Sequence, residues 1–345
     1  MIETQLKDLI VGSSAAIRRL RDTIARVGPS KLPVLILGPT GAGKELVARG
    51  LHLASGRAGK FETCNVCALT PGLFESEVFG HVRGAFTGAL RDKRGHLVEA
   101  NGGTMFFDEI GGLNLESQPK LLRALDGYAF RPVGASQDRL SDFRVIAATN
   151  EDVPAMVAAG RFRADLWYRL AGITLCVPAL SARLDDVPAL VEHLLTRLSS
   201  ESKRRPQCVS ACAIRALQSH AWGGNVRELA VTLERAVLLA QGEIIDATHI
   251  MAAIQMVSRR VHGLQKATDD QVISALDSAA GDVSLAAQIL GVSRPTIYRH
   301  LAALGLTPRQ WHSSWVDSQE FLARVARMSV WRDEPGAASE PDSVS

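Results

Sequence analysis

The sequence predicts an α/β protein in which a parallel sheet is followed by helices alone, and three observations carry that prediction. Short β-rich runs (Val34–Leu37, Phe61–Cys64, Thr104–Phe107 and Arg144–Ala148) alternate with helical stretches between about Leu9 and Pro178, the pattern of βαβ units. From about Ser181 to Met256 only helical periodicity remains, in Val187–Leu198, Ala211–Ser219 and Val226–Ala240. Gln271–Leu306 then reads as a small helical unit of its own. The expected segments are residues 1–180 (α/β), 181–256 (a helical subdomain), 257–269 (a polar, basic linker with Arg259, Arg260, His262 and Lys266), 270–306 (all-α) and 307–345 (a partly disordered tail).

Composition narrows the class before any motif is used. With 345 residues, 46% of them apolar, the chain can bury a large core. No apolar run reaches the length of a bilayer span, and Met1–Leu9 carries Glu3, Lys7 and Asp8, so a cytoplasmic protein without membrane contact is expected. Five scattered cysteines suit reduced thiols, and Cys64 and Cys67 form a CxxC with no second pair to complete a zinc site. A net charge of +3 is too small to argue for nucleic acid by itself.

The first run ends in Gly38-Pro39-Thr40-Gly41-Ala42-Gly43-Lys44, and a helix opens near Glu45. Glycines let backbone N–H groups wrap phosphates, a helix N-terminus favours negative charge, and Lys44 can reach terminal phosphates. Glu45 stands where most such loops carry the Ser or Thr that contacts Mg²⁺, so the metal must lean on another residue or on water. The third run supplies one, because Gly102–Phe107 leads into Asp108-Glu109. Successive strand residues point to opposite sides, so Asp108 can hold Mg²⁺ while Glu109 orients the attacking water. The fourth run closes on Ala148-Thr149-Asn150, whose polar side chains are placed to sense a γ-phosphate. Between the phosphate loop and the acidic strand lies Gly84-Ala85-Phe86-Thr87-Gly88-Ala89, a loop with glycine hinges and one large aromatic at its centre.

The C-terminal unit has helix-turn-helix chemistry. Ser284–Leu290 is a short amphipathic helix, Gly291-Val292-Ser293 the turn, and Arg294 opens the next helix with Ser293 as N-cap. Ile297 and Leu301 face inward at i,i+4. Arg294, Thr296, Tyr298, Arg299 and His300 lie outside that stripe, where phosphates and base edges are read. The tail carries Trp311, Trp315, Phe321, Val325, Met328 and Trp331, several at helical spacing, which suits either a docking helix or packing on its own DNA-binding domain.

The phosphate loop, Glu75–His81, the Gly84–Ala89 hexapeptide, the Gly-Gly-Thr…Asp-Glu strand, Phe162–Leu170 and Trp222–Leu229 occur in the order found in sigma-54-dependent transcriptional activators. From about Leu9 to Leu306 the chain resembles these NtrC-like AAA+ enhancer-binding proteins. The resemblance implies ATP as substrate with Mg²⁺, and contact of Phe86 and Thr87 with sigma-54 in the polymerase holoenzyme. It also implies pairing of Asn65 with Glu109, Arg163 and Arg169 presented to the neighbouring subunit's nucleotide, Arg227 as a second sensor, and a homo-hexamer. Spacing alone favours a different use of Arg169, an i,i+4 salt bridge with Asp165. Family members often carry an acidic residue at the position of Glu45, and their Fis-type domains bind enhancer DNA as dimers. Three departures bear on loop dynamics and subunit contacts: Val82 for an acidic residue, Gly223 for a proline, and Ser181-Ala182-Arg183 for a more arginine-rich turn. The ATPase pattern begins almost at the first residue, so control by a separate regulatory protein, by expression level, or no control at all is expected. Two other functions fit less of the sequence: a DNA-binding regulator whose ATPase fold only oligomerises, and an AAA+ remodeller of another target.

Overall fold

The computed structural model describes residues 2–202, 207–241, 244–262, 269–279 and 282–290, together with Arg294, Ile297, Tyr298 and Leu301. In chain order, α1 (Ile2–Leu9) and α2 (Ala15–Val27) precede β1 (Val34–Leu37), α3 (Lys44–Ser55) and β2 (Phe61–Asn65). Next come α4 (Pro71–Val78), the short pair β3 (Gly80–His81) and β4 (Lys93–Arg94), α5 (His96–Glu99) and β5 (Thr104–Asp108). The α/β part closes with α6 (Gln118–Gly127), the hairpin strands β6 (Ala129–Phe130) and β7 (Arg139–Leu140), β8 (Arg144–Thr149), α7 (Val153–Ala158), α8 (Ala164–Leu170) and β9 (Ile173–Cys176). Helices α9 (Val187–Ser202), α10 (Ala211–Gln218), α11 (Asn225–Leu239) and α12 (Ala247–His262) follow, then α13 (Asp269–Ser278) and α14 (Val283–Leu290).

Five parallel strands form the main sheet in the order β2-β5-β8-β1-β9. Period-2 alternation sends its side chains into two cores. Leu35, Ala147 and Phe107, paired across the register, share one face with Met105 and Val145. Ile36, Ala148, Ile146 and Phe106 face the other side, against Ile17, Ile24, Val47 and Leu51 of α2 and α3. Central strands buried on both faces read as continuous apolar runs, which is why these were plain in the sequence. The edge strand β9 was not singled out there; it is short, and its residues are only partly buried.

The chain divides into two compact units, the first ending at Ala253 and the second beginning at Ile254. Helix α12 continues through His262, into a stretch that composition reads as linker. No Gly or Pro interrupts the sequence until Gly263, so nothing in the chain stops the helix before that point. In the second unit, Val272, Ala275, Leu276, Ala286, Ala287, Ile297 and Leu301 form a small core of their own. Among the described residues no helix is long and apolar enough to cross a membrane.

Candidate functional site

The carboxyl ends of β1, β5 and β8 gather the polar residues. After β1, the loop Gly38–Gly43 turns into α3 through left-handed backbone at Gly41 (φ +76°) and Gly43 (φ +106°), which L side chains rarely adopt. Lys44 is buried, and its Nζ donates to the Gly38 carbonyl at 3.0 Å and to Glu109 Oε1 at 3.4 Å. Glu45 turns away and accepts from Arg49 Nε at 3.0 Å and Nη2 at 2.7 Å on the exposed face of α3.

At the end of β5 the two carboxylates part. Asp108 remains in the strand, while Glu109 takes left-handed backbone (φ +52°, ψ +48°) and its N–H donates to Asp108 Oδ1 at 3.1 Å. Burial, and then the Glu109 carboxylate, push the Asp108 carboxyl above its ordinary range, with Lys44 pulling the other way. Asn65 pairs with Asp108 in the parallel register and is exposed. No hydrogen bond joins Asn65 to Glu109 among the described residues; the glutamate is held by Lys44, a cation that attracts a carboxylate more strongly than a neutral amide does. The Cys67 thiol donates to the Glu109 carbonyl at 3.7 Å.

Strand β8 braces the phosphate loop from the side. The Thr149 carbonyl accepts from Gly38 N–H at 3.3 Å, its hydroxyl accepts from Glu151 N–H at 3.0 Å, and Asn150 Nδ2 donates to Thr40 Oγ1 at 3.1 Å.

The helical part closes over the same loop through contacts that sequence reasoning missed. Asn225, left-handed at φ +55°, donates from Nδ2 to the Thr40 carbonyl at 3.0 Å and accepts the Leu180 N–H at 2.8 Å. The Arg227 N–H donates to the Gly41 carbonyl at 3.3 Å, and Arg183 Nη2 to the Ala42 carbonyl at 2.9 Å. Arg183 is buried, which lowers its affinity for a proton, an effect the nearby Asp186 opposes. Asp186, wholly buried, accepts from the Ser13 N–H (2.6 Å), the Ser14 N–H (2.7 Å) and the Ser14 hydroxyl (2.7 Å). The partner of Asn225 is a backbone carbonyl of the phosphate loop, and no residue pattern marks such a contact.

The two arginines around α8 are exposed or half-exposed, and neither makes the pair that spacing suggests. Asp165 binds Arg163, not Arg169, through Nε at 3.1 Å and Nη2 at 2.8 Å. Arg163, at the N-cap position, is on the same turn and presents its whole fork to the carboxylate. Each raises the charged fraction of the other: the carboxyl of Asp165 is held low and the guanidinium of Arg163 high. Arg169 instead donates to the Leu125 carbonyl at 2.7 Å and pairs with Asp126 at 3.2 Å.

The hexapeptide projects between β3 and β4. Gly84 N–H donates to the Ala89 carbonyl at 2.9 Å and Ala89 N–H to the Phe86 carbonyl at 3.0 Å, which closes the loop on itself with Ala89 buried as its plug. Gly84 (φ +81°) and Gly88 (φ +99°) have open space where a Cβ would stand, so backbone conformation alone, with no steric crowding, requires glycine there. Thr87 is exposed, and the Phe86 ring meets the His81 ring edge to face at 5.0 Å. His81 is itself fixed by Ser76 Oγ at 2.8 Å from its Nδ1.

In the second unit Arg294 and Tyr298 are exposed while Ile297 and Leu301 are buried, as the periodicity predicts. Asp282 caps α14, accepting the Ser284 and Leu285 N–H groups at 2.7 and 3.2 Å. Thr296, Arg299, His300, the turn Gly291–Ser293 and the aromatic tail lie outside the described residues.

A parallel sheet with phosphate loop, paired carboxylates and polar sensor strand under a helical lid defines a protein of the AAA+ ATPase class. Residues 10–176 match the family described as Sigma-54 interaction domain, residues 181–266 the AAA+ ATPase lid domain, and residues 270–304 the bacterial regulatory proteins of the Fis family. The chain is 41% identical over 300 residues to the transcriptional regulatory protein ZraR of Escherichia coli, covering 85% of this chain and 68% of that protein. It is 38% identical over 315 residues to the Nif-specific regulatory protein of Azotobacter vinelandii, covering 88% and 60%. Among solved structures, NtrX from Brucella abortus in complex with ADP superimposes with a TM-score of 0.66 at 34% identity, covering 88% of this chain and 72% of that one. The chain belongs to the sigma-54-dependent transcriptional activators, with an AAA+ ATPase domain and a Fis-type DNA-binding region.

Proposed function

We propose that the protein binds enhancer DNA and uses ATP hydrolysis to remodel the closed complex of sigma-54 RNA polymerase into the open one. The observation that carries this reading is the closed, glycine-hinged loop with Phe86 and Thr87 exposed, set in the same chain as the Lys44, Asp108 and Glu109 site. An apolar loop tip that folds without burying its aromatic needs a partner surface. Relatives of known structure support the substrate, since NtrX has been solved in complex with ATP.

Gly38 to Lys44 hold the phosphates, with Pro39, Thr40 and Ala42 shaping the loop, and Lys44 exchanges its pairing with Glu109 for the terminal phosphates. Glu109, so released, orients the attacking water and accepts its proton; Thr149 and Asn150 sense the γ-phosphate, and Arg227 does so from the lid. Asp108 fits Mg²⁺, because a carboxylate half-buried beside two other acids, Glu109 and Glu45, is relieved by a cation. Among the described residues no three His, Cys, Asp or Glu side chains form a metal cage, in keeping with a cation held by a carboxylate and substrate phosphates. When bound, Mg²⁺ neutralises charge on those phosphates. Arg163 and Arg169 act on the nucleotide of the neighbouring subunit in a hexamer, Asn65 tunes Glu109 from the adjacent strand, and Arg294, Thr296, Tyr298, Arg299 and His300 contact DNA.

The test is a native-gel assay of the protein with sigma-54, trapped by ADP and a metal fluoride, with Phe86→Ala alongside. A nucleotide-dependent complex lost in the variant supports the reading. Measurable ATPase without any complex moves the function to another target.

A further inference from the structure

Phe86 is not the most exposed large apolar side chain around the loop. Leu90, one residue past the hexapeptide, is 85% exposed, whereas Phe86 is 45% exposed because His81 covers part of its ring. Leu90 does not trail from the loop. Its N–H donates to the Gly88 carbonyl at 2.9 Å, and the residue before it is tied to both Gly84 and Phe86, so the closed loop fixes where Leu90 stands.

The charges beside it are unevenly satisfied. The Asp92 carboxylate accepts the Arg83 N–H at 2.8 Å, and Lys93 pairs with Glu77. Arg91 is exposed and has no acidic partner among the described residues. A bare leucine and a bare guanidinium, adjacent in sequence and directly after a loop that already presents an aromatic, offer apolar and cationic groups to the same loop's surroundings. Burial of such an apolar group on contact is favourable, and an unpaired guanidinium selects a planar anionic group.

We propose that the surface meeting sigma-54 is a composite of Phe86 and Leu90 bordered by Arg91, and that it fits a protein segment offering an apolar pocket with a carboxylate at its rim. This rests on the function proposed above and extends the contact beyond the hexapeptide.

The experiment measures capture of sigma-54 by the full chain in the ADP–metal fluoride state, without DNA, for the parent, Leu90→Ser, Arg91→Glu and Leu140→Ser. Leu140 is equally bare, at 81% exposed, but sits on β7, so it controls for loss of any surface leucine. ATP turnover and sedimentation are recorded for each variant, so that capture is compared per assembled, active protein. The expected result is capture weakened at least about tenfold by Leu90→Ser, weakened also by Arg91→Glu, and unchanged by Leu140→Ser. Parental capture in Leu90→Ser overturns the composite surface while leaving the proposed function standing; absence of capture by the parent overturns that function first. If Leu90→Ser alters assembly but not capture per assembled particle, the surface belongs to a second copy of this chain and the proposal is wrong. The assay is then repeated with promoter DNA: if Arg91→Glu weakens capture only there, the guanidinium reads phosphate and the carboxylate rim is wrong.

Discussion

Lys44 Nζ lies 3.4 Å from Glu109 Oε1, so the cation proposed to bind phosphates is also the group that restrains the carboxylate proposed to act on water. Both are shielded from solvent, Lys44 almost completely. On the function proposed above, a phosphate competing for Lys44 would free Glu109 in the same movement and so couple occupancy of the loop to readiness for hydrolysis.

The two ends of that pair should fail differently. Glu109→Gln is expected to bind ATP with near-parental affinity and to lose turnover by about 10²-fold or more, the usual size of a general-base contribution. Lys44→Ala should instead weaken nucleotide binding itself by at least about tenfold, since truncating one side of a buried charge contact costs about 2–5 kcal/mol. Equilibrium titration with a fluorescent nucleotide beside steady-state turnover separates them; unchanged affinity in Lys44→Ala would count against the loop as the phosphate site.

Gly41→Ala tests how the lid seats on the loop. A Cβ there would stand 2.3 Å from the Gly224 carbonyl, on backbone at φ +76°. The loop must shift or the lid must lift, with a cost of about 1–3 kcal/mol. A lowered melting temperature together with weaker nucleotide affinity is expected, and parental values of both would show that the lid contact is dispensable.

Arg163→Ala should abolish most turnover, because a trans arginine is worth about 10³–10⁵ in rate. The Asp165 pair that Arg163 would leave is exposed and weak. Mixing Arg163→Ala with Glu109→Gln is expected to recover activity, since some interfaces then join an intact Glu109 to an intact Arg163. No recovery at any ratio would place the arginine's role within its own subunit.

Burial, aided by Glu77, pushes the Cys64 thiol up to about 12. Its folded value exceeds the ordinary 9.0 of an open chain, so the neutral thiol favours the fold fully below pH 9 and that advantage is lost as pH rises towards 12. Denaturant midpoints should fall over that window, with up to about 1.4 kcal/mol per pH unit from this group, and Cys64→Ala should flatten the slope. At pH 8, alkylation should spare Cys64 in the native protein and reach it after unfolding; prompt native labelling would contradict its burial.

The residues proposed for the chemistry were legible because each belongs to a dense local pattern: seven consecutive loop residues, two acids after an apolar strand, a hexapeptide between glycines. The relationships among them were not. Lys44 and Glu109 are 65 residues apart in sequence, and nothing in a strand or helix pattern says that their side chains meet. The reach of Asn225 and Arg183 to the phosphate loop went unread because their partners there are backbone carbonyls, which leave no mark in sequence. At Asp165 the spacing rule favoured Arg169, but that rule holds within a helix, and the arginine just before the helix had the better geometry. The same limit applied to α12, where composition alone could not tell a basic helix from a basic linker.

The left-handed backbone at Glu109 sets strain against charge pairing at one residue. Glycine there would relieve backbone strain of about 1–3 kcal/mol, but it would leave the buried Lys44 ammonium without its carboxylate. The strained backbone is thus held at the position whose side chain meets that buried cation.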